Sequence, residues 1–364
     1  MVKTYRYRIY PNKSQETMFM KTFGCVRFIY NRMLFDRLKY YRETGKMLFN
    51  TPAQYKDTYP FLREVDSLAL ANAQLHLNNA YKNYFQRKGA GRPRFKSRKS
   101  LHQSYATNNQ RGSVRIERGH IRLPKIGFIR IRQHRPFTGK IKTVTVTRTL
   151  GGRYYVSILV EDENQVRAID PHTFAGIAFS LHGLYAASDG TGADMPQNCL
   201  RTLRRLRREQ RKMARTKRNS RNRVKQRRRV STLSDRFTNQ RADFLQKVTT
   251  QLARQYDAIC IEEISARKLG REFGKGNRIG HMLTRKGWSL FVIMLQYKLA
   301  WQGKALIRVN IPHGRLLRSD DLEGAKRSFR LLPREKRSPF ADAADCAAAV
   351  RIRDKGRSQI PATA

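Results

Sequence analysis

Ala175-Gly176-Ile177-Ala178-Phe179-Ser180-Leu181 and, shortly after it, Leu184-Tyr185-Ala186-Ala187-Ser188-Asp189-Gly190 read as a strand, its hairpin partner and the next turn. Downstream, residues 202–251 have the pattern of two long helices. Residues 256–261 read as a buried strand, 290–302 as a helix and 305–309 as a further strand. Strands alternating with helices after an initial hairpin predict an α/β domain of the RNase H type.

Upstream of that hairpin the pattern differs. Residues 3–10 alternate like a strand and stop at Pro11. Residues 14–44 place Phe19, Phe23, Val26, Ile29, Met33 and Leu34 at helical spacing. A second helix is predicted over 67–87, with Ser67 as its cap. Residues 89–99 hold too much Gly, Pro and charge for an element interior and read as a basic loop. From Tyr105 to Val160 short alternating runs (113–117, 120–123, 128–132, 142–148, 154–160) predict a small barrel or sandwich. Residues 161–171 form a polar linker.

The 364 residues carry 76 Lys and Arg against 27 Asp and Glu, a formal charge of +49. A folded chain with that imbalance repels itself unless a polyanion neutralises it, and charge spread along the whole chain points to nucleic acid. Hydrophobic residues make up 40%, which excludes a disordered tail protein. The N-terminus lacks an apolar signal core, and no stretch reaches the roughly 18 apolar residues that span a bilayer. Cys25, Cys199, Cys260 and Cys346 form no CxxC pair and read as buried, reduced thiols. A cytoplasmic, nucleoid-associated protein without membrane contact is expected.

Between Arg201 and Arg229 stand 16 Lys or Arg and a single acid, Glu209. Solvated helix faces mix signs, whereas like charges at i,i+4 destabilise an isolated helix. We therefore read the stretch as held against phosphates. Tyr105, Asn108, Asn109, Gln110 and Arg111 suit backbone tracking and base stacking. The residues expected to touch the nucleic-acid backbone are Arg6, Arg8, Arg27, Arg92, Arg94, Lys96, Arg98, Lys99, Arg111, Arg204, Arg208, Arg211, Arg215 and Arg218.

Residues 7–12, Phe23-Gly24-Cys25-Val26-Arg27-Phe28-Ile29-Tyr30-Asn31, Arg92-Pro93-Arg94-Phe95-Lys96, Leu123-Pro124-Lys125-Ile126-Gly127, Phe244-Leu245-Gln246-Lys247 and Gly287-Trp288 follow one another in order. In this the chain resembles the TnpB/OrfB proteins of bacterial insertion sequences, which are RNA-guided and related to type V CRISPR effectors. The resemblance implies an α+β multidomain fold. A wedge-type β-barrel (1–12 and 101–162) would carry an inserted helical recognition bundle (13–100). A linker (163–172) would lead to an RNase H-like RuvC domain (173–356), with a basic helical hairpin at 199–252 and a degenerate zinc-ribbon insert at 310–341, and a tail (357–364). It also implies a guide RNA and double-stranded target DNA as partners. RNA–DNA pairing reads most of the target, and the protein reads a short flanking motif.

The resembled family holds two Mg²⁺ ions with three acids, the first in a G-[I/V]-D-x-G strand. Here that position is Ala178, whose methyl group cannot ligate a metal. The second acid matches Glu262 and the third Asp345, which are read as inherited carboxylates paired with local cations, since half a metal site gives little Mg²⁺ affinity. The family's zinc pairs fall at Ser319, Leu322, Glu335 and Ser338, none of them a cysteine, so no zinc is expected. Neither is Mg²⁺ required for binding, and no cofactor is expected. The family's motif-reading positions correspond to Asn50, Ser67, Leu68, Ala71, Thr107 and Asn108. Helix packing is the competing reading for Leu68 and Ala71.

These readings lead to a chain that is not an enzyme: an RNA-guided DNA-binding repressor that occupies a promoter in competition with RNA polymerase. The alternatives are an active RNA-guided DNA endonuclease associated with an insertion sequence, and a transposon remnant that binds RNA non-specifically.

Overall fold

Tyr7 and Ile9 point inward and Arg6 and Arg8 outward along β1 (Val2–Tyr10), the two-residue period expected of a half-buried strand. The computed structural model describes residues 2–98, 103–162, 166–180, 183–264, 284–310 and 343–359. They divide into two compact units, Met1–Asn164 and Gln165–Ala364.

In the first unit, β1 is followed by α1 (Lys13–Thr44) and α2 (Ser67–Gln86). Asn12 caps α1 in a reciprocal box with Gln15, and Gly45 ends it at φ 67°, a left-handed turn suited to glycine. The cap of α2 is Asp66, which accepts from the Leu68 amide, and not the predicted Ser67. The aspartate carboxylate reaches the free amides of the first turn, so the helix starts one residue earlier than the serine would place its cap.

Six further strands follow: β2 (Gln103–Asn108), β3 (Arg115–Glu117), β4 (His120–Leu123), β5 (Gly127–Arg132), β6 (Lys140–Arg148) and β7 (Tyr154–Glu161). They join β1 in an antiparallel sheet of order β2-β6-β7-β1-β5-β4-β3. β1 sits in its middle, with Tyr7 opposite Val156 and Arg8 opposite Arg132. Phe19, Ile29, Met33 and Leu34 of α1 and Leu70 and Leu77 of α2 share one core with Val144, Val156 and Ile158 of the sheet. The expected barrel is not closed. Among the described residues β2 and β3 are free edges, and the sheet is an open, curled one.

The second unit begins with β8 (Phe174–Phe179), β9 (Tyr185–Ala187) and β10 (Gly192–Ala193), an antiparallel meander. The helices α3 (Gln197–Arg215) and α4 (Arg221–Gln255) then pack on each other. β11 (Ala258–Glu262) returns parallel to β8, α5 (Trp288–Ala300) crosses over, and β12 (Ala305–Val309) pairs parallel with β11. The last helix is α6 (Ala343–Arg357). The order β10-β9-β8-β11-β12, with two parallel strands added to a hairpin, is the RNase H-type arrangement the sequence predicts. The four cysteines are buried and unbridged. No described helix is long and apolar enough to cross a membrane.

Candidate active site and nucleic-acid surface

The face of β8 that meets α6 is made of small residues. Ala178 is buried in a cluster with Cys260, Val309, Ala349 and Ile352, while its neighbour Ile177 faces the larger core on the other side. A methyl group at Gly176 would overlap the carbonyl oxygen of Ala349 and come within 2.7 Å of the Arg353 nitrogen. Only glycine lets the helix lie this close to the strand.

That packing brings several charged side chains to one end of the sheet. Ile177 pairs with Ile261, so Glu262, the last residue of β11, stands beside Ala178 where the parallel strands end. Ligands of open α/β sheets gather at that end. Glu262 is 4% exposed, and burial pushes its carboxyl up to about 7. Asp345 lies in the first turn of α6, where a negative charge suits the helix dipole, and the adjoining Cys346 packs on Ala186 of β9. Asp194 directly follows β10, and its Oδ1 is buried without a hydrogen bond. Between these elements Lys286 is buried, donating from Nζ to the carbonyl oxygens of Ser180 (3.2 Å) and Gly183. Burial lowers its proton affinity, and the carboxylates of Asp194 and Asp345 act against that shift.

The fold brings Ala178, Glu262 and Asp345, the three positions singled out in the sequence, to one end of the sheet. Asp194 and Lys286 carry no comparable signal in the sequence. Asp194 follows a two-residue strand too short to show a period. Lys286 sits beside the apolar run that starts at Trp288, and no local pattern marks a lysine as buried. Among the described residues no three His, Cys, Asp or Glu side chains converge closely enough to hold a metal ion. Among the described residues, the side chains at 178, 262 and 345 do not by themselves make a three-carboxylate metal centre, because position 178 offers a methyl group. Ser319, Leu322, Glu335 and Ser338, matched in the sequence to the family's zinc pairs, lie outside the described residues.

The cationic positions are at the surface. Arg6 stacks over Tyr155 at 4.3 Å and Arg8 over Tyr10 at 4.8 Å. Arg27 is half-buried on α1. Arg92, Arg94, Lys96 and Arg98 are exposed in the irregular segment after α2, which Asn31 pins to α1 through both backbone groups of Lys96 (2.7 and 2.9 Å). Lys99 lies outside the described residues. Arg111 is exposed in a turn at φ 50°. On α3, Arg204, Arg208, Arg211 and Arg215 line one hollow with Arg201, Arg205 and Lys212, and Arg218 is exposed in the following turn. Glu209 is turned inward, accepting from Gln226 of α4 at 2.6 Å, so the acid serves the helix pair and the arginines face out.

Two of the expected motif-reading side chains are interior. Asn50 is 3% exposed and bonded to Arg37, Tyr55 and the Met33 carbonyl, and Thr107 is fully buried and donates to Asp66. They shape the surface from beneath. Ser67 is exposed, and Leu68, Ala71 and Asn108 are half-buried. Tyr105 requires a correction. It is 3% exposed, packed against Phe19 and Phe23 as part of β2, and has no face left for a base.

Comparison with known proteins places this geometry. A family model described as "Probable transposase", OrfB of the IS605 type, matches residues 157–271, and the family's "Helix-turn-helix domain" matches residues 1–46. In this chain that second stretch is one strand and one unbroken helix. A Streptomyces pristinaespiralis protein named "Putative RNA-guided DNA endonuclease" is 32% identical over 319 residues, covering 85% of this chain and 77% of that protein. An Escherichia coli K12 protein named "Putative RNA-guided DNA endonuclease InsQ" is 28% identical, covering 85% and 80%. Among solved structures, the Cas12f1–sgRNA–target DNA complex aligns with a TM-score of 0.55 at 11% identity, covering 97% of this chain and 98% of that one, a likeness of fold. The expectation that the chain is not an enzyme is overturned by the names of both relatives, which are those of endonucleases.

Proposed function

The chain belongs to the TnpB/OrfB family of insertion-sequence proteins, and from that premise we propose that it is an RNA-guided DNA endonuclease. The observation that carries the reading is the match along 85% of the chain to relatives of that name. Its partners are then a guide RNA and a double-stranded DNA target. The cationic face of α3 holds phosphates, and Ser67, Leu68, Ala71 and Asn108 offer the surface on which a flanking motif is read.

The charged end of the second sheet is where the scissile strand would lie. Glu262, with a proton affinity near neutrality, can take up a proton from an attacking water at working pH. The ammonium group of Lys286, fixed by two carbonyls, offers a positive charge to a phosphodiester without reorganising. Asp345 extends the carboxylate surface from the start of α6.

The test is a guide-loaded protein incubated with a matched and a mismatched plasmid in the presence of magnesium. Cleavage of the matched plasmid alone, lost in Glu262→Ala, is expected. Guide-dependent binding that leaves the matched DNA intact would overturn the endonuclease reading and keep only occupancy of the target.

A further inference from the structure

The last two turns of α2 carry three aromatic residues at helical spacing, Tyr81, Tyr84 and Phe85. The rings of Tyr81 and Phe85 are stacked 6.3 Å apart at 20°, and those of Tyr84 and Phe85 are 5.1 Å apart at 58°. Arg92 returns over this group. Its Nε donates to the Tyr84 hydroxyl at 3.1 Å, and its guanidinium lies 6.0 Å from that ring. Phe85 is 65% exposed and Tyr41 57%, whereas Phe19, Phe23 and Tyr30 on α1 are in the core. Together with Phe35, 48% exposed on α1, Phe85 and Tyr41 are large aromatic faces left in water.

The surroundings identify what covers them. From Ser67 to Ile116 the chain has ten Lys and Arg and no Asp or Glu. An apolar protein segment or a lipid tail would match the rings but not the charge. A polyanion with flat aromatic faces matches both. Bases in a duplex are already stacked on one another, so the partner is an unpaired one.

We propose that Phe85, Tyr84 and Arg92 form a platform on which an unpaired base of single-stranded RNA stacks, with its phosphates held by the neighbouring cations. The assignment of RNA rests on the proposed guide dependence. The stacking itself rests on the geometry of α2. Arg92 then does two things at once: it fixes the Tyr84 ring and offers its own plane and charge beside the base.

Photo-crosslinking of the full chain to a single-stranded RNA oligonucleotide carrying 5-iodouridine, followed by peptide mapping, tests the inference. Crosslinks at Tyr84 or Phe85 are expected. Phe85→Leu should weaken binding of the same RNA about ten-fold at unchanged melting temperature, as loss of one stacked base would. Phe49→Leu, which removes another exposed aromatic outside the platform, should bind as the parent chain does. Crosslinks confined to other peptides, or Phe85→Leu binding like the parent, overturn the platform. Because the oligonucleotide is neither guide nor target, intact plasmid in the cleavage assay together with crosslinks at Phe85 would sink the endonuclease reading and leave this one standing.

Discussion

Gly176 of β8 and Ala349 of α6 meet backbone to backbone, with no room for a methyl group between them. The helix that carries Asp345 therefore owes its position to the absence of one side chain on the strand that carries Ala178. Gly176→Ala has to push α6 outward. Overpacking of this kind costs about 1–3 kcal/mol, so a lower melting temperature is expected, together with weaker DNA cleavage as Asp345 moves away from Glu262. A variant that melts and cleaves like the parent would mean that the helix shifts freely.

The burial of Glu262 sets a dependence of stability on pH. Its carboxyl is raised from 4.5 to about 7 in the folded chain, so the native state holds a proton that the unfolded state releases. Stability is therefore lost as pH rises through that window, by about 3 kcal/mol in full. Glu262→Gln removes the ionisation. In chelator-containing buffer it should match the parent near pH 4.5 and melt higher above pH 7. Parallel melting curves across the range would contradict the burial argument.

Asp66 has two jobs, capping α2 and accepting from the buried Thr107 hydroxyl of β2. Asp66→Ala loses the cap and leaves a buried hydroxyl without its acceptor, a destabilisation of about 2 kcal/mol. Asp66→Asn keeps an accepting oxygen and should recover most of it, which urea unfolding of both variants beside the parent chain measures; equal losses in the two would contradict the hydrogen-bond argument.

The arginines of α3 are exposed, and their contribution is to binding. Replacing Arg204, Arg208, Arg211 and Arg215 with alanine should leave the melting temperature unchanged and weaken RNA binding. Each lost phosphate contact reduces the slope of log affinity against log salt by about 0.7 on single strands, so a reduction of about 3 is expected. An unchanged slope would move the phosphate surface elsewhere.

Much of this architecture is legible in the sequence because it is written in local periods. The alternation of Tyr5, Tyr7 and Ile9 marks β1. The spacing of Phe19, Phe23, Val26, Ile29 and Met33 marks α1, and the strand Ala305–Val309 stands out as an apolar run. What escapes is decided by partners distant in the chain. β2 buries Tyr105, Ala106 and Thr107 in succession, which breaks the two-residue period, and its polar composition suggests a surface contact. Asn50 is an interior residue because Arg37 and Tyr55 meet its side chain. Position 178 is a second such case. The alanine at 178 is plain in the sequence, but Asp194 and Lys286 reach the same end of the sheet only through the segments after β8 and β10.

The place of β1 has a consequence for synthesis. Tyr7 pairs with Val156, and the strand on its other side begins only at Gly127. While a ribosome adds about 5–20 residues each second, the first strand to emerge waits on the order of ten seconds for either neighbour. The α1–α2 pair can form in that interval, but the sheet beneath it cannot. The seven-stranded sheet is therefore completed only after β7 has been translated.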